Sequence, residues 1–377
     1  GPGTRRCVVG ASGKRPMSFT AIRDQETAIR LLRNLTRSRR VPNGLLFWGP
    51  SGVGKGLAAA EFIKALNCRE GGDDACDACL LCRKITRGNH PDVKTIVPSG
   101  KARMIVMDQI DDLMEYAGLR PFESTWRVVI IQDADRMNLS AQNHFLKTLE
   151  EPPGRAIFIL LTAHPRMLLP TIRSRCQMVR FQRLRPQTVA ELIERDRGVT
   201  GEIAEAIAHL SEGQMSRALD LIDSEKRNVA LDIVHRLATG EDPSALAEEF
   251  SGLLDDQRKR LEAQVDEELK PDRADEATRE ELEALKELRM AHMAALVKRE
   301  LMEYLYLFQT WYRDELVFKA TGDPARVLNR DQVARLREAS SAPADKIKAV
   351  ESALMQLNRN INEERVFRVL FFSLAEK

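Results

Sequence analysis

Leu45-Leu46-Phe47-Trp48-Gly49-Pro50-Ser51-Gly52-Val53-Gly54-Lys55-Gly56 is the stretch on which the reading of this chain turns. Its first four residues are a compact apolar run of the kind that forms a buried strand. The run stops at a glycine-rich loop, and helical spacing resumes from Leu57 to Leu66. Strand, loop and helix in that order are the context that the spacing G-x-x-x-x-G-K requires. Glycines let successive backbone N–H groups turn inward around anionic oxygens, and the following helix adds its positive end. Gly49, Pro50, Ser51, Gly52, Val53, Gly54, Lys55 and Gly56 are therefore expected to cradle nucleotide phosphates, with Lys55 as the point charge.

Further strands are expected at Val128-Val129-Ile130-Ile131 and Ile157-Phe158-Ile159-Leu160-Leu161, with a weaker one at Val93-Lys94-Thr95-Ile96-Val97. Apolar strands of this length separated by helices predict a parallel sheet covered on both faces. The segments between them have helical spacing, through Ile105, Ile110, Leu113 and Met114, then Phe145, Leu146 and Leu149. Strands end near Leu184-Arg185-Pro186. Only helical periodicity follows, broken at Gly198, at Gly240-Glu241-Asp242-Pro243 and at Gly322-Asp323-Pro324. The fold class is α/β followed by all-α. Residues 255–300 hold dense charge of both signs and a narrow stripe through Leu282, Leu285 and Leu288, which predicts a solvated helix or helical hairpin broken at Lys270-Pro271.

Two positions depart from what phosphate-transfer chemistry needs. A Ser or Thr hydroxyl after the lysine would ligate Mg²⁺, but Gly56 has none. The second strand should end in a carboxylate pair that holds the metal and polarises water. Here it runs into Gln132-Asp133-Ala134-Asp135. Gln132 takes the metal-binding place and Asp133 the catalytic one; sliding the register to Asp133 puts Ala134 in the catalytic place. Either register loses a part. The expectation is weak or absent hydrolysis, with Mg²⁺ poorly held and either ATP or ADP open as the ligand.

Four of the six cysteines crowd together as Cys68-x7-Cys76-x2-Cys79-x2-Cys82. Two overlapping C-x-x-C steps and a fourth thiolate make an all-cysteine tetrahedral set suited to structural Zn²⁺. Gly71, Gly72 and nearby aspartates supply the turn. Iron–sulfur ligation and free thiols are the competing readings. Cys7 and Cys176 stand apart as free thiols. Hydrophobic content of 43%, 30% charged residues and a net charge of +2 over 377 residues describe two or three soluble domains rather than a polycation. No apolar run is long enough to span a membrane. Gly1-Pro2-Gly3 reads as an expression scar in a tail over 1–17, and a cytoplasmic location is expected. Basic runs at Arg37-Ser38-Arg39-Arg40, Arg83-Lys84 and Lys101-Ala102-Arg103 could meet phosphates, but each run alone is more often a solvated face. His90 is expected to hydrogen-bond locally before Pro91.

Several motifs then carry a family resemblance. Asn143-His144-Phe145-Leu146-Lys147-Thr148-Leu149-Glu150-Glu151-Pro152-Pro153 resembles the N-x-L-L-K-x-L-E-E-P-P segment of bacterial DNA polymerase III clamp-loader AAA+ subunits. Thr171-Ile172-Arg173-Ser174-Arg175-Cys176 resembles their T-I-x-S-R-C motif. Asn89-His90-Pro91-Asp92, Trp311-Tyr312-Arg313-Asp314 and Asn358-Arg359-Asn360 are similar to landmarks of the delta-prime type. The likeness is strong over about 18–183 and diffuse beyond.

The resemblance implies an AAA+ P-loop domain at 18–183 with a zinc module at 68–82, a helical lid at 184–240, and a C-terminal helical collar at 241–377. It implies a heteropentamer with gamma/tau-type and delta-type subunits that loads a sliding clamp onto primed DNA. In that setting Arg175 is an arginine finger acting in trans; an ordinary surface arginine is the alternative. Thr162 stands where the family places its γ-phosphate sensor; a buried strand-end threonine is the alternative. In Gly213-Gln214-Met215-Ser216-Arg217, Ser216 falls at the lid sensor position and Arg217 one step later, about 100° around the helix. Gly56, Gln132 and Ser216 point to the delta-prime role. A gamma/tau-type motor subunit is the alternative, and a stand-alone P-loop zinc nucleic-acid-binding protein a further one.

Overall fold

The computed structural model describes residues 18–70, 72–98, 104–268, 279–339, 342–359 and 361–376. The 1–17 tail, Cys7, Gly71, Lys101-Ala102-Arg103, Lys270-Pro271 and Asn360 lie outside the described residues, as do the side chains of Leu282, Leu285 and Leu288. The chain forms two compact units. One runs to Gly198 and includes Glu212–Ser216; the other takes Val199–Ser211 and the chain from Arg217 onward.

The first unit is built on five parallel strands: β1 (Gly44–Trp48), β2 (Val93–Ile96), β3 (Arg127–Ile131), β4 (Ala156–Thr162) and β5 (Gln177–Arg180). Their order is β2-β3-β4-β1-β5. Helices α1 (Glu26–Ser38), α2 (Lys55–Asn67), α3 (Leu80–Thr86), α4 (Met107–Gly118), α5 (Leu139–Glu150), α6 (Pro170–Arg175) and α7 (Pro186–Arg197) connect or follow them. Alternate residues of a strand point to opposite faces, and here both faces are apolar. Leu45, Phe47, Ile157 and Ile159 pack with Leu32, Phe62 and Ile63. Leu46, Phe158 and Leu160 pack with Ile110, Leu113 and Phe145 on the other side. That double burial is why the central strands read as unbroken apolar runs.

Two readings need correction. β5 has no apolar run to betray it: of Gln177, Met178, Val179 and Arg180 only Val179 is buried, as an edge strand allows. Ile105 is not part of α4. It pairs with Met137 in an isolated parallel bridge and exchanges backbone hydrogen bonds with Arg136 and Asn138, so its apolar side chain fills the core from an extended segment.

The second unit is helical: α8 (Gly201–Leu210), α9 (Met215–Asp223, which crosses the division), α10 (Lys226–Ala238), α11 (Pro243–Glu268), α12 (Arg279–Thr321), α13 (Val333–Glu338), α14 (Pro343–Asn358) and α15 (Glu363–Ala375). Its centre is an aromatic cluster in which Phe250 meets the rings of Tyr304, Phe367 and Phe371 at 5.0, 4.8 and 5.5 Å. Of the charged 255–300 stretch, residues 255–268 lie on the end of α11 and residues 279–300 on the first half of α12. Asp314 is fully buried and accepts from the backbone N–H groups of Leu328 and Asn329, a local reason for an acid in the Trp311–Asp314 run. Among the described residues no helix is long and apolar enough to cross a membrane.

Candidate nucleotide and metal sites

The loop between β1 and α2 needs its glycines for separate reasons. A Cβ on Gly49, at φ +148°, would stand 2.3 Å from the carbonyl oxygen of Phe181. A Cβ on Gly52, at φ +71°, would meet the Ser216 backbone nitrogen at 2.6 Å, and the Gly52 carbonyl accepts from Met215 N at 3.1 Å. Gly54 precedes α2 in the left-handed conformation. Pro50 and Ser51 form the tip, and Val53 is buried beneath it. The Lys55 ammonium donates to the carbonyls of Gly49 and Pro50 at 2.7 and 2.6 Å. Burial pushes this ammonium below its ordinary value, while the carboxylates of Asp133 and Asp135 act in the opposite direction. At Gly56 a Cβ would touch only Leu161 Cδ1, at 4.0 Å. The place for a hydroxyl is open, and the residue supplies none.

The end of β3 lies beside this loop. Gln132 is exposed and is held through its backbone N–H to the Ile96 carbonyl. Asp133 is left-handed at φ +46° and turns the chain into a short 3-10 segment. Asp135 was not singled out by sequence, yet it makes the decisive contact: its carboxylate accepts from the Thr162 hydroxyl at 2.5 Å. That hydroxyl also accepts from His164 N at 2.9 Å, and Thr162 is fully buried. Its carbonyl accepts from Gly49 N, so strand end and phosphate loop are joined directly. The signal for Asp135 was its place two residues beyond Asp133. Its role depends on β4 being the neighbour of β3, which spacing cannot give.

Arg175 is exposed at the end of α6, where its guanidinium pairs with Glu150 at 2.6 Å and also donates to the Thr171 carbonyl. The motifs at 143–153 and 171–176 therefore meet, with Leu149 and Cys176 packed in one core beneath them. Ser216 sits against Gly52. Arg217 turns to other partners in the second unit, Glu303 at 2.8 Å and the ring of Tyr306 at 3.8 Å.

The sulfurs of Cys68, Cys76, Cys79 and Cys82 all lie within 4.8 Å of one another. Tetrahedral Zn²⁺ with bonds of about 2.3 Å would place them about 3.8 Å apart, so the residues present fit that ion. Backbone N–H groups of Cys76, Cys79 and Cys82 point at the sulfurs of Cys68, Cys76 and Cys79. Burial pushes the Cys76 and Cys82 thiols up, and a bound dication would oppose that cost. All four positions are filled by protein, so an ion held there would have a closed ligand set of the structural kind. The loop is stapled to its surroundings by Arg33–Asp74 and Arg37–Asp73 pairs at 3.2 and 2.5 Å. Arg37 and Lys84, two members of the basic runs, are thus already paired, Lys84 with Glu123.

His90 accepts from Asp92 N through Nδ1 at 3.1 Å, the local bond expected of it. Asp92 carries the larger load. It is fully buried and accepts from Phe122 N, Glu123 N, Ser124 N and the Ser124 hydroxyl, with Arg127 at 3.2 Å.

A cavity of about 550 Å³ opens beside the phosphate loop at Gly52, Val53 and Gly54. Ile22, Leu57, Leu184, Leu192 and Met215 give it apolar walls. An anion cradle next to an apolar cavity of this size can hold a nucleotide.

Residues 24–185 match the family model described as DNA polymerase III, delta subunit. DNA polymerase III subunit delta′ of Bacillus subtilis is 35% identical over 219 residues, 56% of this chain and 65% of that protein. The tau subunit of the same organism is also 35% identical over 219 residues, 55% of this chain and 38% of that protein. Subunit delta′ of Pseudomonas aeruginosa is 35% identical over 166 residues, 44% of this chain and 50% of that protein. The chain spans less than two thirds of the length of these relatives. Relatives named delta′ and tau match at the same identity, so the comparisons do not separate the two subunit types.

Proposed function

From matches that support a clamp-loader AAA+ subunit of DNA polymerase III, we propose that this chain is the delta-prime type: it completes a neighbour's nucleotide site and hydrolyses little or nothing itself. The observation that carries the reading is Gly56. The cradle around Lys55 is intact, yet the position that should offer Mg²⁺ a hydroxyl has no side chain. Gln132 is neutral where a carboxylate would face the ion, and Thr162 already gives its hydroxyl to Asp135. ATP or ADP is held by the glycine loop and the adjoining cavity, with Mg²⁺ weakly retained. Zn²⁺ in the four-cysteine set would supply only structural charge compensation.

Arg175 is the active contribution. In an assembly with gamma/tau-type and delta-type subunits it exchanges Glu150 for a neighbour's γ-phosphate, where a fixed guanidinium neutralises charge developing in the transition state. The complex loads a sliding clamp onto primed DNA, and the helical unit takes part in assembly. The gamma/tau-type reading keeps one argument, the equal identity of the tau relative.

Reconstitution with partner subunits tests the assignment. Arg175→Ala should leave assembly intact by size-exclusion chromatography and slow hydrolysis at the neighbouring site by about 10³-fold. Unchanged hydrolysis in an intact assembly removes the trans-acting role.

A further inference from the structure

The four-cysteine loop also forms one side of the cavity beside the phosphate loop. Asp77, between Cys76 and Cys79, lines that cavity, and so do Arg83, Thr86 and Arg87 at and just beyond α3, the helix that carries Cys82. Asp77 has φ +53°, a conformation that L residues other than glycine seldom adopt. It is held there by two donors, Ser18 N at 3.0 Å and the Lys64 ammonium at 2.5 Å. Lys64 is 4% exposed and also contacts Glu61 at 2.7 Å. Lys64 and Glu61 line the same cavity and stand on α2, whose first residue is Lys55.

We infer that the metal-binding loop is a wall of the nucleotide cavity, with Asp77 as the positioning residue that ties metal occupancy to nucleotide affinity through Lys64 and Glu61. The inference rests on the nucleotide-binding reading of the glycine loop. Ligation at Cys76 and Cys79 closes the turn that keeps Asp77 left-handed. Once the turn relaxes, the buried Lys64 ammonium loses one of its two carboxylates, and the inner face of α2 loses the contact that shapes the cavity. Linkage makes the effect reciprocal: a ligand that prefers the closed wall must raise metal affinity by the factor that metal raises its own.

The test uses the full metal-loaded chain, with N-methylanthraniloyl-ADP as the nucleotide probe and a chromogenic chelator competing for zinc. Asp77→Ala keeps all four cysteines. It should retain its zinc and bind the probe about tenfold more weakly, about 1.4 kcal/mol. In the wild type, saturating probe should raise zinc affinity about tenfold, and this gain should vanish in the variant. If Asp77→Ala fails to fold, Asp77→Asn keeps an acceptor for Ser18 and removes the charge facing Lys64, with the same readouts. Unchanged probe affinity in a zinc-replete variant, or zinc affinity indifferent to probe, overturns the inference and leaves the nucleotide reading standing. A metal-loaded wild type that binds no probe overturns both.

Discussion

At the scale of single residues, the site is defined by what glycine allows and what it withholds. Gly49 and Gly52 are confined by φ and by the atoms a Cβ would strike, so the loop can approach Phe181 and Ser216 only without side chains. Gly56 is confined by nothing. Its missing hydroxyl is a chemical choice, because a Cβ there would stand in ordinary contact with Leu161. Gly56→Ser should therefore fold normally, gain about 0.5 kcal/mol from helix propensity, and make nucleotide affinity more dependent on Mg²⁺. Denaturation curves and titrations with and without the ion measure both effects. Asp135 teaches the complementary lesson: a residue of no fixed motif position engages the buried hydroxyl of Thr162 at the end of β4.

At the scale of elements, the turn after α4 depends on one carboxylate. Burial alone pushes the Asp92 carboxyl up. Three backbone donors and the Ser124 hydroxyl outweigh it and hold the carboxyl below its usual range. A group depressed in the folded state contributes stability above its unfolded value, near 3.8, and the contribution is lost as pH falls through the folded one. Asp92→Asn places an amide against donors and leaves Arg127 without its anion, a cost of about 3 kcal/mol near neutrality. Chemical denaturation across pH should show the gap between wild type and variant narrowing below about pH 4. A constant gap would mean that charge is not the cause.

At the scale of the whole molecule, the first unit holds the glycine loop with its adjoining cavity and the second a helical core, and the proposed chemistry needs a neighbour. Charge stabilisation from an arginine in trans has no target within a lone chain, and the chain's own metal ligands are reduced. The isolated protein should hydrolyse ATP with Mg²⁺ at least about 10³-fold more slowly than the proposed assembly. Turnover by the chain alone at the assembly's rate would favour the motor reading.

Local physics made much of this legible from residues alone. The buried strands were visible because both faces are apolar, the phosphate loop because glycines there answer to backbone geometry, and the cysteine set because metal ligands must be close in a short loop. β5 was hidden because an edge strand with Val179 as its one buried residue leaves no periodic trace. Residue order alone determined which groups are available: the glycine loop with its lysine, the missing hydroxyl at Gly56, four thiols and an arginine just before Cys176. Tertiary structure alone decided who meets whom. Asp135 reaches Thr162 because β3 and β4 lie side by side, Glu150 holds Arg175 because the ends of α5 and α6 meet, and Asp77 closes on Lys64 because the cysteine loop folds back on α2; none of these contacts is written in a local pattern.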